Sequence, residues 1–326
     1  MKTLYPLKFH PILKDKIWGG SRLKNTLNKP TESDKCGESW EISAVQGNIS
    51  KVKNGFLAGN NLQELTEIYM GDLLGDKIFE RFGIEFPLLI KFIDANDVLS
   101  VQVHPDDTLA MKRHNGYGKT EMWYIIEAER NANIICGFNR ELDKEIYLSH
   151  LKNKTLKEIL NFEKVKAGDV FFTPSGRVHA IGAGILLAEI QQTSDITYRI
   201  YDWDRVDETG KSREMHTELA LDALDFKFYG KYRTDYEPAL NLTAGIADCK
   251  YFTTGLLYFD KPIEKVYNFI DSFVIYMCME GKINILYGQG FSESLFAGET
   301  VLIPASIKNL NLVPEGVAKA LEVYIK

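Results

Sequence analysis

The chain has 326 residues, a hydrophobic content of 45% and a formal net charge of −6 at pH 7. This length exceeds one small domain and predicts two domains, or one domain with a large appendage. Lys and Arg residues do not gather into a basic stripe, so nucleic acid is not an expected partner. The N-terminus lacks a signal-peptide core and no apolar run is long enough to span a membrane. We therefore expect a cytoplasmic protein without a membrane partner.

The first hundred residues indicate mainly strands and turns. Residues 37–43 alternate like a strand, and this pattern predicts that Glu38, Trp40 and Ile42 lie on one face. Apolar residues recur at helical spacing after Asn61, so a helix is predicted to start there.

A short apolar run, Phe86–Ala95, is typical of a buried strand. The stretch that follows it, Leu99–His104, reads Leu-Ser-Val-Gln-Val-His. Side chains of a strand alternate between its faces, so Gln102 and His104 project to one side and the two valines to the other. This strand is predicted to carry a polar face and a core face.

The middle of the chain indicates an alternation of strands with short helices. A proline followed by acidic residues favours a helix N-terminus, because the proline suits the first turn and the acids favour the positive end of the helix dipole. The predicted elements are a helix from Pro105 ended by Gly116, two strands over Glu121–Phe138, a helical excursion over Glu141–Asn161 and a helix over Glu214–Leu224.

Two later segments are expected to meet the polar face of the Leu99–His104 strand. They carry Glu121 and His179. With Gln102 and His104 they offer two imidazoles, one carboxylate and one amide oxygen. Imidazole nitrogen and carboxylate oxygen are common ligands of divalent cations in proteins. The pattern predicts a divalent metal site.

A weak internal repeat indicates two similar β units in tandem. Gly168-Asp-Val-Phe-Phe-Thr-Pro-Ser is echoed 130 residues later by Gly298-Glu-Thr-Val-Leu-Ile-Pro-Ala. We expect a catalytic domain over residues 1–235 and a C-terminal domain over residues 236–326. The second copy has Asn309 where the first has His179, so we expect it to fold alike without binding metal.

The segment from Gly168 to His179 has the form G-x5-P-x-G-x2-H and resembles the second motif of the cupin superfamily. Glu121 and His179 are only 58 residues apart, a short spacing that resembles the compact bacterial form of the family named next. Five further segments, in chain order, resemble the type I mannose-6-phosphate isomerases: Phe-Pro-Leu-Leu-Ile-Lys-Phe at 86, Leu-Ser-Val-Gln-Val-His-Pro-Asp at 99, Lys-Thr-Glu-Met-Trp at 119, Val-His-Ala-Ile-Gly at 178 and Thr-Tyr-Arg-Ile-Tyr-Asp-Trp-Asp-Arg at 197.

This resemblance implies a mainly β protein of two tandem cupin jelly-roll barrels with a small helical excursion. It also implies an isomerase that binds a small sugar phosphate and one Zn²⁺ per chain, as a monomer or homodimer. By the resemblance the site residues are the zinc ligands Gln102, His104, Glu121 and His179, the catalytic Arg199, and the substrate-binding Ser100 and Lys119.

The expected reaction interconverts D-mannose 6-phosphate and D-fructose 6-phosphate through an enediolate. Arg199 stays protonated, so it can stabilise an oxyanion but cannot act as the base. A metal-bound water, Glu41 or Asp202 could each be that base. Arg177 departs from the family, which usually has a small residue there, and it is either a phosphate contact or a residue of the rim.

Two other functions fit parts of the pattern. One is a non-catalytic, sugar-phosphate-binding cupin that serves as a sensor, which would have little need of Arg199. The other is an iron-dependent cupin oxygenase, but oxygenases favour His-rich ligand sets, and the Gln102 and Glu121 pattern counts against one.

Overall fold

The computed structural model describes residues 3–206 and 210–326 and confirms the mainly β fold of two tandem jelly-roll barrels. Each barrel consists of two antiparallel sheets. No helix in the described ranges is both long and apolar enough to cross a membrane.

The N-terminal barrel pairs a six-stranded sheet of order β1-β2-β3-β10-β5-β8 with a five-stranded sheet of order β11-β4-β9-β6-β7. Its strands are β1 (Ile12–Gly20), β2 (Cys36–Ile42), β3 (Leu88–Ala95), β4 (Val101–Val103), β5 (Glu121–Ala128), β6 (Asn133–Phe138), β7 (Leu160–Lys164), β8 (Val170–Thr173), β9 (His179–Ile181), β10 (Ile185–Gln192) and β11 (Tyr198–Tyr201).

The C-terminal barrel has the strands β12 (Leu242–Asp248), β13 (Thr253–Phe259), β14 (Ile263–Val266), β15 (Val274–Glu280), β16 (Lys282–Tyr287), β17 (Phe291–Phe296), β18 (Thr300–Ile303), β19 (Asn309–Pro314) and β20 (Ala318–Tyr324). Its sheets have the orders β12-β13-β20-β15-β18 and β14-β19-β16-β17. These orders match β2-β3-β10-β5-β8 and β4-β9-β6-β7 strand for strand, so the repeat predicted from the two glycine segments is a repeat of the whole barrel.

The helices lie in the connections between strands, and their ends depart in places from the predicted ones. The helix after Pro105 ends at His114, where left-handed Asn115 caps it before Gly116. The excursion over 141–161 is only partly helical, since it ends in a 3-10 turn and in β7. The helices are α1 (Arg22–Asn25), α2 (Leu62–Leu74), α3 (Asp76–Phe82), α4 (Asp107–His114), α5 (Lys144–Lys152) and α6 (Thr217–Ala223).

One face assignment on β2 is wrong. Trp40 pairs with Lys91, whereas Ile42 pairs with the adjacent Ile90, so a bulge at Glu41 shifts the register. Glu38 and Trp40 therefore line a cavity, while Ile42 packs into the large apolar core. The alternation holds only up to the bulge.

The N-terminal segment crosses to the C-terminal barrel. Leu7 exchanges two 2.8 Å backbone hydrogen bonds with Leu302 on β18, and Lys8 forms an ion pair with Glu299. One apolar core includes residues of both barrels. The barrels thus share core packing, and a boundary at residues 235 and 236 stays a prediction.

Candidate active site

Three strands bring the predicted metal ligands together. β4 and β9 are neighbours in one sheet, where Gln102 pairs directly with His179, and β5 supplies Glu121 from the other sheet. The turn before β9 needs Gly176, which has a φ of +89° and donates its N–H to the His104 carbonyl at 2.9 Å. The Leu99–His104 segment thus brings Gln102 and His104 close to Glu121 and His179.

His104, Glu121 and His179 form a compact buried group. Their candidate ligand atoms all lie within 4.8 Å of one another. Glu121 Oε2 is 3.5 Å from His104 Nε2, and Glu121 Oε1 is 3.3 Å from His179 Nε2. None of the three is more than 1% exposed. Such a group could hold a metal ion, and the three residues together are called the metal group below.

Backbone carbonyls fix the orientation of both imidazoles. His104 Nδ1 donates to Ile196 O at 2.8 Å, and His179 Nδ1 donates to Arg177 O at 2.9 Å. Each Nε2 is therefore left with its lone pair facing the centre of the group, as in metal-ligating histidines. Lys119 Nζ lies 3.1 Å from His104 Nε2 and can donate to it. Burial lowers the pKa of His179 to about 3. Burial and the charge of Lys119 also hold the pKa of His104 well below its usual range, so both rings are neutral at neutral pH.

Glu121 is a carboxylate that lacks a partner on one side. Its Oε2 accepts from Lys119 Nζ at 2.6 Å, but its buried Oε1 has no hydrogen-bond partner in the described ranges. Burial raises the pKa of Glu121 to about 7. A cation beside Oε1 would give this oxygen a partner and would also stabilise the buried negative charge of the carboxylate. The residues present therefore fit a metal ion.

Gln102 is the fourth predicted ligand. Its Nε2 lies 3.2 Å from His179 Nε2. Amide nitrogen and oxygen exchange places by a half-turn of the group. The geometry therefore places an amide at the edge of the metal group, with either atom able to face it.

A cavity of about 400 Å³ lies above the metal group. Gln102 and Lys119 line it, and each contacts a member of the buried group beneath. The other charged lining residues are the cations Lys14, Lys16, Lys91, Arg199 and Arg213 and the acids Glu38, Glu189 and Asp195. The cavity therefore carries an excess of positive charge.

Arg199 and Ser100, both predicted from the resemblance, lie together on this cavity wall. Arg199 Nε is 3.4 Å from Ser100 Oγ, and Arg199 Nη1 donates to Glu214 O at 2.9 Å. Burial and the nearby guanidinium of Arg213 lower the pKa of Arg199. The structure thus brings Ser100, Lys119 and Arg199 to the cavity that lies next to the metal group.

The two carboxylates considered as bases are both held by cations. Glu41 accepts from Lys29 at 2.7 Å and from Ser39, and it is not among the residues that line the cavity. Asp202 forms ion pairs with Arg205 and Arg213. Burial opposes them, but these two arginines hold the pKa of Asp202 below its usual value.

Arg177 does not contact the cavity. Its guanidinium stacks on Tyr229 and Tyr232, 4.7 and 5.1 Å from the ring centroids, and donates to Phe172 O. Arg177 therefore links the turn before His179 to β8 and to the two tyrosines, and its guanidinium does not face the cavity as a phosphate contact would.

A buried ion pair in the cavity wall was not predicted from the sequence. Lys91 Nζ lies 2.9 Å from Glu189 Oε2, whose other oxygen accepts from Trp123 Nε1 at 2.9 Å. Burial alone would raise the pKa of Glu189, but Lys91 and Lys119 outweigh it and lower the pKa to about 2. The available signal was a charged residue inside each of two apolar strands, Lys91 in β3 and Glu189 in β10, because a buried charge requires a partner.

The C-terminal barrel keeps part of this arrangement but not the ligands. Glu322 pairs with Tyr276 across β20 and β15, as Glu189 pairs with Trp123 across β10 and β5. This register places Val274 at the position of Glu121, and Asn309 stands at that of His179. Within the described ranges the His104 group is the one candidate metal cluster.

A larger cleft of about 1040 Å³ lies where the N-terminal segment meets the C-terminal barrel. Neither the metal group nor Arg199 lines it. Its walls include aromatic and amide side chains: Tyr5, Asn54, Phe56, Tyr287, Phe291 and Asn309.

Comparisons with known proteins identify the family of this chain. Residues 6–132 match the family described as phosphomannose isomerase type I, catalytic domain. The mannose-6-phosphate isomerase ManA of Bacillus subtilis is 36% identical over 99% of this chain and 100% of its own. The mannose-6-phosphate isomerase of Streptococcus mutans is 37% identical over 93% and 94%. A crystal structure of the Bacillus subtilis mannose 6-phosphate isomerase covers 99% of this chain and 100% of its own with a TM-score of 0.89 at 32% identity. With this identity over nearly its whole length, the chain belongs to the type I mannose-6-phosphate isomerase family.

Proposed function

We propose that this enzyme is a zinc-dependent aldose–ketose isomerase that interconverts D-mannose 6-phosphate and D-fructose 6-phosphate through an enediolate. The observation that carries the proposal is the buried His104–Glu121–His179 group under a cationic cavity. Family membership supplies the substrate class.

Zinc would be held by Gln102, His104, Glu121 and His179. This donor set suits zinc. It offers two neutral imidazoles with fixed Nε2 lone pairs, an amide, and the Glu121 carboxylate, whose Oε1 has no hydrogen-bond partner among the described residues. When bound, zinc supplies Lewis-acid polarisation of the substrate carbonyl and its neighbouring hydroxyl. Lys119 neutralises part of the charge of Glu121 and presents an ammonium group to the cavity.

Arg199 stabilises the negative charge that develops on substrate oxygen as the proton leaves carbon. Its guanidinium is held by Ser100 and the Glu214 carbonyl, so it needs little rearrangement during the reaction. Because an arginine remains protonated, its contribution is electrostatic.

The substrate phosphate binds on the same wall, with Arg213 as a contact. Asp202 aligns the Arg213 guanidinium through two hydrogen bonds, one of them 2.7 Å long from Nε. Asp202 also pairs with Arg205, and the positive charges of Arg205 and Arg213 both act on Arg199 and lower its pKa, in addition to burial. Three guanidinium groups around one carboxylate leave an excess of positive charge, which a phosphate dianion would balance.

Proton NMR in D₂O tests this proposal. Zinc-loaded protein is incubated with mannose 6-phosphate, and fructose 6-phosphate is expected to appear with deuterium at C1, because an enediolate takes its proton from an exchanging base. Product that retains the substrate hydrogen through many turnovers would indicate a hydride shift. Binding without turnover would favour the sensor instead.

A further inference from the structure

A hydrogen bond joins the C-terminal barrel to the helix that follows His104. Tyr251 lies in the turn between β12 and β13 and is 8% exposed. Its hydroxyl donates to Asp107 Oδ2 at 2.5 Å. Lys250 Nζ lies 3.4 Å from the same oxygen. The second barrel therefore holds one oxygen of Asp107.

The other oxygen of Asp107 faces the active site segment. Asp107 Oδ1 accepts from Gln192 Nε2 at 2.8 Å and from Gly118 N at 3.1 Å. A Cβ on Gly118 would lie 2.6 Å from Asp107 N, so only glycine permits this approach. Asp107 thus ties the second barrel to residue 118 and to the end of β10.

Gln192 continues the connection to the metal group. The side-chain Oε1 of Gln192 accepts from Thr120 N at 2.9 Å, and the backbone N–H of Gln192 donates to Thr120 O at 3.2 Å. Thr120 lies between Lys119, which contacts the metal group, and Glu121, which belongs to it. Thr120 Oγ1 also accepts from Ser175 N, in the turn before His179. A continuous chain of hydrogen bonds therefore runs from Tyr251 to the backbone between Lys119 and Glu121.

We propose that Tyr251 is a positioning residue for this reaction, which holds Lys119 and Glu121 in register with the metal through Asp107 and Gln192. The inference rests on the proposed function. By this inference the C-terminal barrel contributes to catalysis, although that barrel lacks residues equivalent to the proposed metal ligands. Residues that support metal ligands from outside fix ligand orientation, and small displacements there lower both metal affinity and rate.

The variant Tyr251→Phe removes one hydroxyl and leaves the ring in place. We expect kcat at saturating zinc to fall on the order of tenfold and zinc affinity, measured by chelator competition, to weaken by a similar factor. KM is expected to change less than kcat, because Lys119 is one of several cations in the cavity and Arg199 and Arg213 stay in place. Hydrogen exchange should rise in peptides that cover residues 118–121.

Tyr276→Phe is the matched control, since it removes a buried hydroxyl that donates to Glu322 within the C-terminal barrel. It should leave kcat, zinc affinity and exchange at residues 118–121 unchanged. Gln192→Met interrupts the same chain inside the N-terminal barrel and should reproduce the Tyr251→Phe pattern.

Wild-type kcat and wild-type exchange at residues 118–121 in Tyr251→Phe would overturn the proposal, as would an equal effect of Tyr276→Phe. If the wild-type protein does not isomerise the sugar phosphate at all, the proposed function fails. Zinc affinity and hydrogen exchange still decide the role of Tyr251 in that case.

Discussion

His179 Nε2 and Glu121 Oε1 face each other at 3.3 Å in a site where neither residue is more than 1% exposed. The Nδ1 proton of His179 is committed to the Arg177 carbonyl, so its Nε2 is an acceptor. Two acceptors this close repel each other unless a proton or a metal ion lies between them. Without metal, the carboxyl group takes up a proton readily, which agrees with a Glu121 pKa raised by burial to about 7.

Metal removal should therefore abolish activity and lower stability. At zinc concentrations a hundredfold above its dissociation constant, binding adds about 2.7 kcal/mol to the free energy of unfolding. We expect chelator treatment to lower the thermal midpoint by several degrees and zinc to restore it. His179→Ala should show no zinc-dependent shift, whereas His150→Ala, which changes a histidine hydrogen-bonded to Thr155 on the helical excursion, should retain the full shift.

Arg199→Ala should lower kcat on the order of 10²- to 10³-fold, because a preorganised charge at the developing oxyanion is lost. Zinc content should stay unchanged, since Arg199 is not a proposed ligand. Steady-state kinetics with metal analysis measures both. Arg140→Ala is the control, as its exposed guanidinium donates to the Glu158 carbonyl and does not line the cavity. A kcat within about twofold of wild type would remove Arg199 from the mechanism.

Arg213→Gln should raise KM for mannose 6-phosphate about tenfold with a smaller change in kcat, because a charge-assisted contact to phosphate is lost. Arg113→Gln offers a matched control, since Arg113 also pairs with an aspartate, Asp222, but does not line the cavity. An unchanged KM in Arg213→Gln would place the phosphate elsewhere in the cavity.

The Lys91–Glu189 pair should make stability depend on pH. The pKa of Glu189 falls from its ordinary 4.5 to about 2 on folding. As pH drops below 4.5 the unfolded chain takes up this proton first, so the stabilisation is present above pH 4.5 and is lost toward pH 2. The loss is on the order of 2–4 kcal/mol.

Urea unfolding of metal-free protein between pH 3 and 6 measures this dependence. The double variant Lys91→Met with Glu189→Gln should show a shallower slope than wild type. Glu189→Gln alone should be destabilised on the order of 3 kcal/mol, because the buried Lys91 ammonium loses its paired carboxylate and keeps the neutral Gln191 Oε1 at 2.8 Å. A wild-type slope in the double variant would assign the pH dependence to other groups.

Local patterns predicted the parts of the site that lie on single strands. The alternation in Leu99–His104 placed Gln102 and the adjacent valines on opposite faces, and the glycine–proline segment placed His179 at the start of β9. Such patterns follow from strand geometry and turn chemistry, which depend on neighbouring residues. For the same reason the repeat of two glycine segments predicted two similar β units, while the barrel topology was expected from the family resemblance.

Pairings between distant segments could not be predicted in this way. The bulge that turns Ile42 into the core depends on the register against β3, and the ion pair of Lys91 with Glu189 joins strands far apart in sequence. Arg213 reaches the cavity because Asp202 aligns it. The role of each depends on a partner that the tertiary fold supplies.

The most direct test of the account measures fructose 6-phosphate formation from mannose 6-phosphate in a coupled assay, with the protein stripped by chelator and then reloaded with zinc. The account predicts that turnover disappears on stripping and returns on addition of zinc, and that the His179→Ala protein stays inactive with zinc present. Undiminished turnover in fully stripped protein, or no turnover in folded, zinc-loaded protein, would contradict it.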